Sequence, residues 1–377
     1  MNFEEYAAKP LLAKAGINTP QGMLASSVDE ATNAANEIGA VVVKAQVPTG
    51  KRGKAGGIKT ADTADEARTV AEQILGMTIG EHTVEKVLVE SQANIETEYY
   101  AAVLNDPASK SPMVMFSRAG GMDIEEIAET QPDQLRKHSV DITKGFEMPQ
   151  ALVMLDGLLL GTHVNEIAQV LCRLYQAYLE NDAELLEINP LAYLSDGSLV
   201  ALDCKFVLDD SAIKRRTELS ENGTPDKLTG LEFEGEKLGL KYIELDGDVG
   251  VVANGAGLTM TTMDVVTHYG GTPANFLEIG GEAYTKATAA LKLVLQNPKV
   301  KCLVVNFCGA FARTDVMTEG VINAWEELKP TLPIFFAIHG TGAAEARAML
   351  NERLDMTPYP TMDDAIIAAV DAARTVA

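Results

Sequence analysis

Aromatic residues make up only 6% of the chain, with a single tryptophan, and basic residues are heavily outnumbered: 31 Lys and Arg against 54 Asp and Glu. The resulting net charge of −23 excludes a broad nucleic-acid or anionic-membrane surface. A small polyanion can then be held only where the few cations are gathered. No apolar run reaches the length that spans a bilayer. Met1-Asn2-Phe3-Glu4-Glu5 offers neither a basic stretch nor an apolar one, so no signal peptide is expected. The four cysteines, Cys172, Cys204, Cys302 and Cys308, form no CxxC pair, and free thiols in a reducing cytoplasm are the simplest reading. Repeats and low-complexity tracts are missing as well.

What is present is a chain of 377 residues, 46% hydrophobic, too long for one ordinary core and suited to two or three domains of α/β type. After a polar, aperiodic stretch at 217–225, short β-branched runs at 249–253, 274–279, 300–307 and 333–338 alternate with amphipathic patterns. One of these, 314–329, places Val316, Val321, Ala324, Trp325 and Leu328 on one stripe. Such alternation predicts a doubly wound, flavodoxin-like parallel sheet over 240–377, reached through a linker at 221–239. Residues 1–220 are more mixed. Helical spacing at 3–15, 27–38 and 165–178 and strand patterns at 41–46, 86–91, 98–104 and 199–203 predict an α+β domain on antiparallel sheets.

One segment departs from the acidic background. Between Lys44 and Lys59, five cations and four glycines fall within 16 residues, directly after an apolar strand. Glycines let a backbone approach a phosphate and the cations offset its charge. The Walker A spacing is missing, so a nucleotide site here is not of the P-loop class. Composition leaves two readings equally open, a phosphate cradle and a solvated basic hairpin. Farther on, Glu187-Ile188-Asn189-Pro190 and Leu202-Asp203-Cys204-Lys205 bring a carboxamide and a carboxylate to strand ends. Hard oxygen donors of this kind suit Mg²⁺, although polar strand ends are common without any metal.

These segments together resemble the succinyl-CoA synthetase β subunit, and the resemblance runs collinearly over nearly the whole chain. It is carried by Phe3-Glu4-Glu5-Tyr6-Ala7-Ala8-Lys9, Val43-Lys44-Ala45-Gln46-Val47, Arg52-Gly53-Lys54-Ala55-Gly56-Gly57 and Gly120-Gly121-Met122-Asp123. It continues through Glu187-Ile188-Asn189-Pro190-Leu191, Leu202-Asp203-Cys204-Lys205, Leu245-Asp246-Gly247, Asn254-Gly255-Ala256-Gly257-Leu258, Thr262-Met263-Asp264 and Pro273-Ala274-Asn275-Phe276-Leu277. The family implies an N-terminal ATP-grasp domain with a smaller subdomain at 21–98, followed by the flavodoxin-like CoA-ligase domain. It implies nucleotide contacts by Lys44, Lys51, Arg52, Gly53, Glu90 and Glu98, with Glu90 as a hinge carboxylate beside the base. Asn189 and Asp203 match its Mg²⁺ ligands, and Glu187 matches the acid that receives a mobile phosphohistidine. Asn254 matches the residue facing the organic acid, with Ala310, Phe311 and Ala312 beside it. The implied chemistry passes the γ-phosphoryl of ATP or GTP to a histidine of a partner α subunit, then to a short carboxylic acid, and CoA, held mainly by the α subunit, displaces phosphate. The assembly would be a heterodimer or α2β2.

The sequence departs from the family pattern in its second half. Gly309-Ala310-Phe311-Ala312-Arg313-Thr314-Asp315 stands where Gly-Gly-Ile and Arg-Cys-Asp are usual, and Ala337-Ile338-His339-Gly340-Thr341-Gly342 where Arg-Leu-Glu-Gly-Thr-Asn is usual. Both segments follow strands, where open α/β sheets hold ligands, so the acid is expected to differ from succinate, malate and sulfoacetate being examples. In the phosphate loop Pro48 and Lys51 replace His and Gly, and Thr97 stands in place of a basic residue. His339 reads as a loop histidine and Cys308 as a packed thiol. Three other classes compete. A carboxylate–amine ligase fits the second domain poorly. A regulatory subunit without turnover conflicts with the intact Lys44, Arg52, Glu187, Asn189 and Asp203. A dinucleotide oxidoreductase lacks the third glycine after Gly255-Ala256-Gly257.

Overall fold

A computed structural model describes residues 1–225, 228–280 and 286–375. The chain divides into two compact units, Met1–Asp226 and Lys227–Ala377.

The N-terminal unit opens with α1 (Glu5–Lys14) and then builds a small sheet from β1 (Gly22–Ala25), β2 (Val41–Gln46), β3 (Ile58–Ala61) and, after the hairpin β4 (Thr78–Ile79) and β5 (His82–Thr83), β6 (Lys86–Ser91). The order is β1-β6-β2-β3, antiparallel throughout. Helices α2 (Val28–Ile38) and α3 (Ala64–Ile74) cover it with alanine faces, and each starts on a hydroxyl cap, Ser27 and Thr63, that accepts from the N–H three residues on.

A larger antiparallel sheet follows, from β7 (Ile95–Asp106), β8 (Ser111–Ser117), β9 (Leu135–Ser139), β10 (Ala183–Leu194), β11 (Leu199–Ala201) and β12 (Lys205–Leu208). Its order is β11-β10-β7-β8-β9, and β12 pairs with the first half of β10. The strand period of two decides its faces. Tyr99, Ala101 and Val103 join the main core under α1, α5 (Met148–Leu155) and α6 (Val164–Glu180). Tyr100, Ala102 and Met115 turn to the other face, beside α4 (Ile124–Thr130). The polar stretch at 217–225 is not a loose connection: it holds the short helix α7 (Thr217–Ser220), and the Thr224 N–H donates to the Asn2 carbonyl at 2.8 Å.

In the C-terminal unit the span expected to be linker carries α8 (Gly230–Lys237), set by a reciprocal Thr229–Glu232 capping box. Then come β13 (Tyr242–Glu244), β14 (Val249–Ala253), α9 (Ala256–His268), β15 (Asn275–Leu277), α10 (Ala287–Gln296), β16 (Cys302–Gly309), α11 (Thr314–Leu328), β17 (Ile334–Gly340), α12 (Ala343–Leu354) and α13 (Met362–Thr375). Strands β14, β16 and β17 are parallel neighbours, parallel bridges at Val249↔Pro273 and Ala253↔Glu278 seat β15 beside β14, and Ala337↔Tyr359 adds a last bridge. Counting β14 as first, the order is the flavodoxin-like 2-1-3-4-5. The β14–β15 ladder is broken because the Asn275 carboxamide takes the place of backbone, accepting from Val251 N at 3.1 Å and donating to Val251 O at 2.8 Å. Both sheet faces are buried: Val249, Val251 and Val304 lie in the cluster with α13, Val252, Leu303 and Phe307 in the one with α10 and α11. This double burial is why the strands read as continuous apolar runs. In α11 the buried stripe is Thr314, Met317, Thr318, Val321, Ile322 and Ala324, and the expected member Val316 is instead exposed. Among the described residues no helix is long and apolar enough to cross a membrane.

Candidate functional site

Helix α1 buries Glu5 and Lys9 along with Ala8 and Leu12. Spacing of four puts the two charges on one helical face, and that face meets three charged side chains from elsewhere in the unit. Lys44 of β2 lies 3.0 Å from Glu5 Oε1 and 2.6 Å from Glu90 Oε2 of β6. Lys9 lies 2.7 Å from Glu5 Oε1 and donates to Glu90 Oε2 at 2.6 Å. Arg52, from the glycine-rich loop, reaches Glu5 Oε2 at 2.8 Å and Asp203 Oδ1 at 2.7 Å and donates to the Ala45 carbonyl at 3.0 Å. Glu5, Lys9, Lys44, Arg52 and Glu90 are all buried. Burial alone would raise the Glu5 pKa, but Lys44, Arg52 and Lys9 overturn it and hold the carboxyl far below the usual range. For Lys44 burial pulls the other way, and Glu5, Glu90 and Asp203 together keep its ammonium protonated well above the normal lysine range.

Glu5 and Lys9 were not among the residues expected from sequence to form the site. Beyond their place in the Phe3–Lys9 motif, their signal is the i,i+4 acid–base spacing, which on most helices marks a solvated face. Glu90, expected at a nucleotide-base hinge, turns its carboxylate inward to the two lysines.

The five cations of the basic segment separate by direction. Lys44 and Arg52 point inward, whereas Lys59 donates to Gln73 on the surface. Lys51, at a positive φ of 62°, and Lys54 lie over the opening. Lys54 donates to Asp123 at 2.8 Å, with Lys51 3.7 Å from the same carboxylate. The hydrogen bond from Lys54 holds Asp123 below its ordinary pKa. The loop carrying Gly53 and the loop 118–123 are thereby pinned together above a cleft of about 670 Å³. Lys44, Arg52, Gly53, Glu90, Glu98, Glu187, Asn189 and Asp203 all line it.

On its floor, Glu187 of β10 accepts from the hydroxyl of fully buried Tyr100 at 2.9 Å. Burial raises the Glu187 pKa, opposed by the Tyr100 hydrogen bond and the charge of Lys205. Asn189 Oδ1 accepts from Gly121 N at 2.8 Å and Nδ2 donates to the Met122 carbonyl at 2.9 Å, so the side chain also shapes the loop 118–123. Asp203 Oδ1 takes Arg52 and the Cys204 N–H, both at 2.7 Å. Asn189 Oδ1 keeps a second lone pair, whereas Asp203 Oδ1 is used twice and the acceptor capacity left to this carboxylate is on Oδ2. Two hard oxygen donors at a cationic cleft fit Mg²⁺, an ion that relies on substrate phosphates and water more than on a protein cage. No cluster of three or more His, Cys, Asp or Glu able to hold a metal unaided occurs among the described residues.

The C-terminal unit has a second polar rim, at the carboxyl ends of β14, β16 and β17. Asn254, expected to face an acid, spends its carboxamide on backbone: Nδ2 donates to Cys308 O at 2.9 Å and Oδ1 accepts from Cys308 N at 2.7 Å. Cys308 is exposed and lies within β16, not packed as expected, because the strand runs on to Gly309 at the open edge. Phe311, between Ala310 and Ala312, is fully exposed. His339 stands opposite Cys308 in the parallel register.

An antiparallel two-sheet unit with a cationic cleft, followed by a doubly wound sheet, defines an ATP-grasp ligase carrying a CoA-ligase domain. The ATP-grasp domain family matches residues 2–193 and the CoA-ligase family residues 252–361. The GDP-forming succinate–CoA ligase subunit beta of Thermus thermophilus is 44% identical, covering 98% of each chain. An ADP-forming counterpart from Roseiflexus sp. (strain RS-1) is 43% identical over 100% of both. The chain belongs to the succinate–CoA ligase β-subunit family of nucleoside-diphosphate-forming acid–CoA ligases. ATP citrate lyase from Methanothrix soehngenii, 22% identical, shares the fold with a TM-score of 0.73 over 98% of this chain and 99% of that one.

Proposed function

We propose that this chain is the nucleotide-binding β subunit of a two-subunit acid–CoA ligase that works with an α subunit. The observation that carries the proposal is the convergence of Lys44, Arg52, Glu187, Asn189 and Asp203 on one cleft. Lys44, Arg52 and the Lys51–Gly53 loop bind the triphosphate of ATP or GTP, and Glu90 and Glu98 border the rest of the nucleotide. Asn189 and Asp203 would hold Mg²⁺, which would supply charge neutralisation at the phosphoryl oxygens. The γ-phosphorus bond to the diphosphate breaks as a bond to a histidine nitrogen of the α subunit forms. Such transfers depend on positioning and charge neutralisation. Glu187 accepts a hydrogen bond from the other imidazole nitrogen and so orients the ring, while Tyr100 keeps the carboxylate in place. The phosphoryl group then passes to a carboxylic acid, and the CoA thiol displaces phosphate to give the thioester.

The acid is a short anion other than plain succinate, malate and sulfoacetate being fitting shapes. The bulky exposed Phe311 at the strand edge and the loss of a charge at Ala337, where Arg is usual, support this, against relatives named for succinate. Co-expression with its α subunit tests both statements, by measuring acyl-CoA formation from succinate, malate and sulfoacetate with Mg-ATP and Mg-GTP. Turnover confined to a non-succinate acid is expected. A clear preference for succinate would overturn the acid assignment alone, and no turnover with any acid would count against the ligase reading.

A further inference from the structure

Lys9 and Lys44 duplicate one another. Lys44 Nζ lies 3.0 Å from Glu5 Oε1, 2.6 Å from Glu90 Oε2 and 2.5 Å from the Leu202 carbonyl. Lys9 Nζ lies 2.7 Å from the same Glu5 oxygen, 2.6 Å from Glu90 Oε2 and 2.9 Å from the same carbonyl. An ammonium has three N–H donors, so each lysine is fully engaged, and each is engaged by the same three residues. They differ in position: Lys44 lines the cleft, whereas Lys9 sits behind it on α1. A Lys44 held by three acceptors has no hydrogen to offer a phosphate until it leaves some of them. With one lysine alone, that departure would leave buried Glu90 without a cation and Glu5 with Arg52 only, a large penalty.

We propose that Lys9 is a positioning residue of the nucleotide site, the resident counter-ion that lets Lys44 exchange its carboxylates for nucleotide phosphates. Both ammoniums share Glu5, Glu90 and the Leu202 carbonyl before binding. When nucleotide enters, Lys44 swings to the phosphates and Lys9 holds all three acceptors, with Arg52 still on Glu5 Oε2. No bond is made or broken and no proton moves. The inference rests on the nucleotide reading of this cleft and adds a role for a residue outside its lining.

Calorimetric titration of the full-length chain with Mg-ATP and Mg-GTP, alongside thermal melts, tests it. Lys9→Met locks Lys44 to its carboxylates and is expected to raise the nucleotide Kd about tenfold or more. Adding Glu5→Gln to Lys9→Met removes one of the two carboxylates that then lock Lys44, and should lower the Kd at least about threefold below that of Lys9→Met. A merely structural Lys9 predicts the opposite pattern, in which the folded fraction of Lys9→Met binds normally or the double variant binds no better than the single. Either result overturns the proposal. Should Lys9→Met not fold, Glu5→Gln alone decides: loosening Lys44 leaves binding as tight or tighter, and a loss of about tenfold would reject the exchange. Failure of the natural chain itself to bind either nucleotide would instead reject the reading of the cleft.

Discussion

The two units of this chain set their polar sites in opposite ways. The N-terminal cleft is fixed by buried charge: Glu5, Lys9, Lys44, Arg52 and Glu90 are nearly water-free and paired with one another, with Asp203 and with backbone carbonyls. The C-terminal rim is fixed by backbone. Its Asn254 carboxamide is bound to Cys308 main chain, Gly309 faces Gly340 across the register, and its charged pair Arg313–Asp315 is half exposed. The lesson is that each site breaks by a different substitution. Removing a charge should damage the cleft and spare the rim, and adding a single carbon should damage the rim.

The largest effect is expected from Arg52→Met. It leaves Asp203 without its guanidinium partner and Glu5 with one fewer, and breaking a buried pair on one side costs about 3–5 kcal/mol. Urea denaturation should show the loss in the N-terminal transition. The matching change at the rim, Arg313→Met, should leave the C-terminal transition where it is, because that guanidinium is solvated. Equal shifts in both would break the comparison.

Gly340→Ala comes next. Gly340 has φ +81°, and a β carbon there would collide with the Gly309 carbonyl. The left-handed backbone alone costs a β-carbon-bearing residue about 1–2 kcal/mol, and the collision adds to it. The midpoint of the C-terminal transition should fall by at least that much, with nucleotide affinity in the cleft unchanged. An unshifted midpoint would mean that the rim tolerates what its backbone forbids.

Tyr100→Phe sharpens the comparison on the cleft side at smaller scale. It removes the donor to Glu187 and should cost about 1 kcal/mol. The titration has a definite sign. Burial already raises the Glu187 pKa, and the Tyr100 hydrogen bond restrains that rise, so its loss moves the pKa farther up. A carboxyl raised on folding contributes stability below its unfolded value that is lost as pH rises through its folded value. The variant should therefore lose more stability at neutral than at acid pH, and the acid limb of its pH–rate profile should move upward. A limb that stays in place would exclude Glu187 from the step it reports.

The same contrast explains what sequence made visible. In the C-terminal unit β14, β16 and β17 could be read directly, since strands buried on both faces are unbroken β-branched runs. What could not be read there was side chain acting as backbone. Asn275 completes the β15 edge and Asn254 braces Cys308, and neither role leaves a periodic trace. In the N-terminal unit the glycine-rich basic segment and the Glu187, Asn189 and Asp203 positions stood out as local motifs, and the structure gathers them in one cleft. Glu5 and Lys9 stayed hidden because a helix presents a buried and a solvated ion pair with the same spacing. Only the approach of β2, β6 and the 202–203 segment distinguishes them. The stripe misread on α11, with Val316 outward and Thr314 and Thr318 inward, has a related origin: buried threonines can turn their hydroxyls to backbone, as Thr314 does to the Thr341 carbonyl, so polarity did not mark the exposed side.

Phe311→Ala is the smallest perturbation to the fold and the most specific for function. The ring is fully exposed and holds no element in place, so the melting temperature of the chain should not change. If the ring shapes the acid pocket, its removal enlarges space beside the acyl group, and a change of a few carbons in a pocket alters discrimination by about tenfold or more. The ratio of kcat/KM for succinate to that for the preferred acid should rise by about that factor in the assembled enzyme, with the nucleotide KM unchanged. A variant whose acid ratios equal those of the natural chain would place acid selection elsewhere on the rim, and would leave the unusual Gly309–Asp315 segment without a part in specificity.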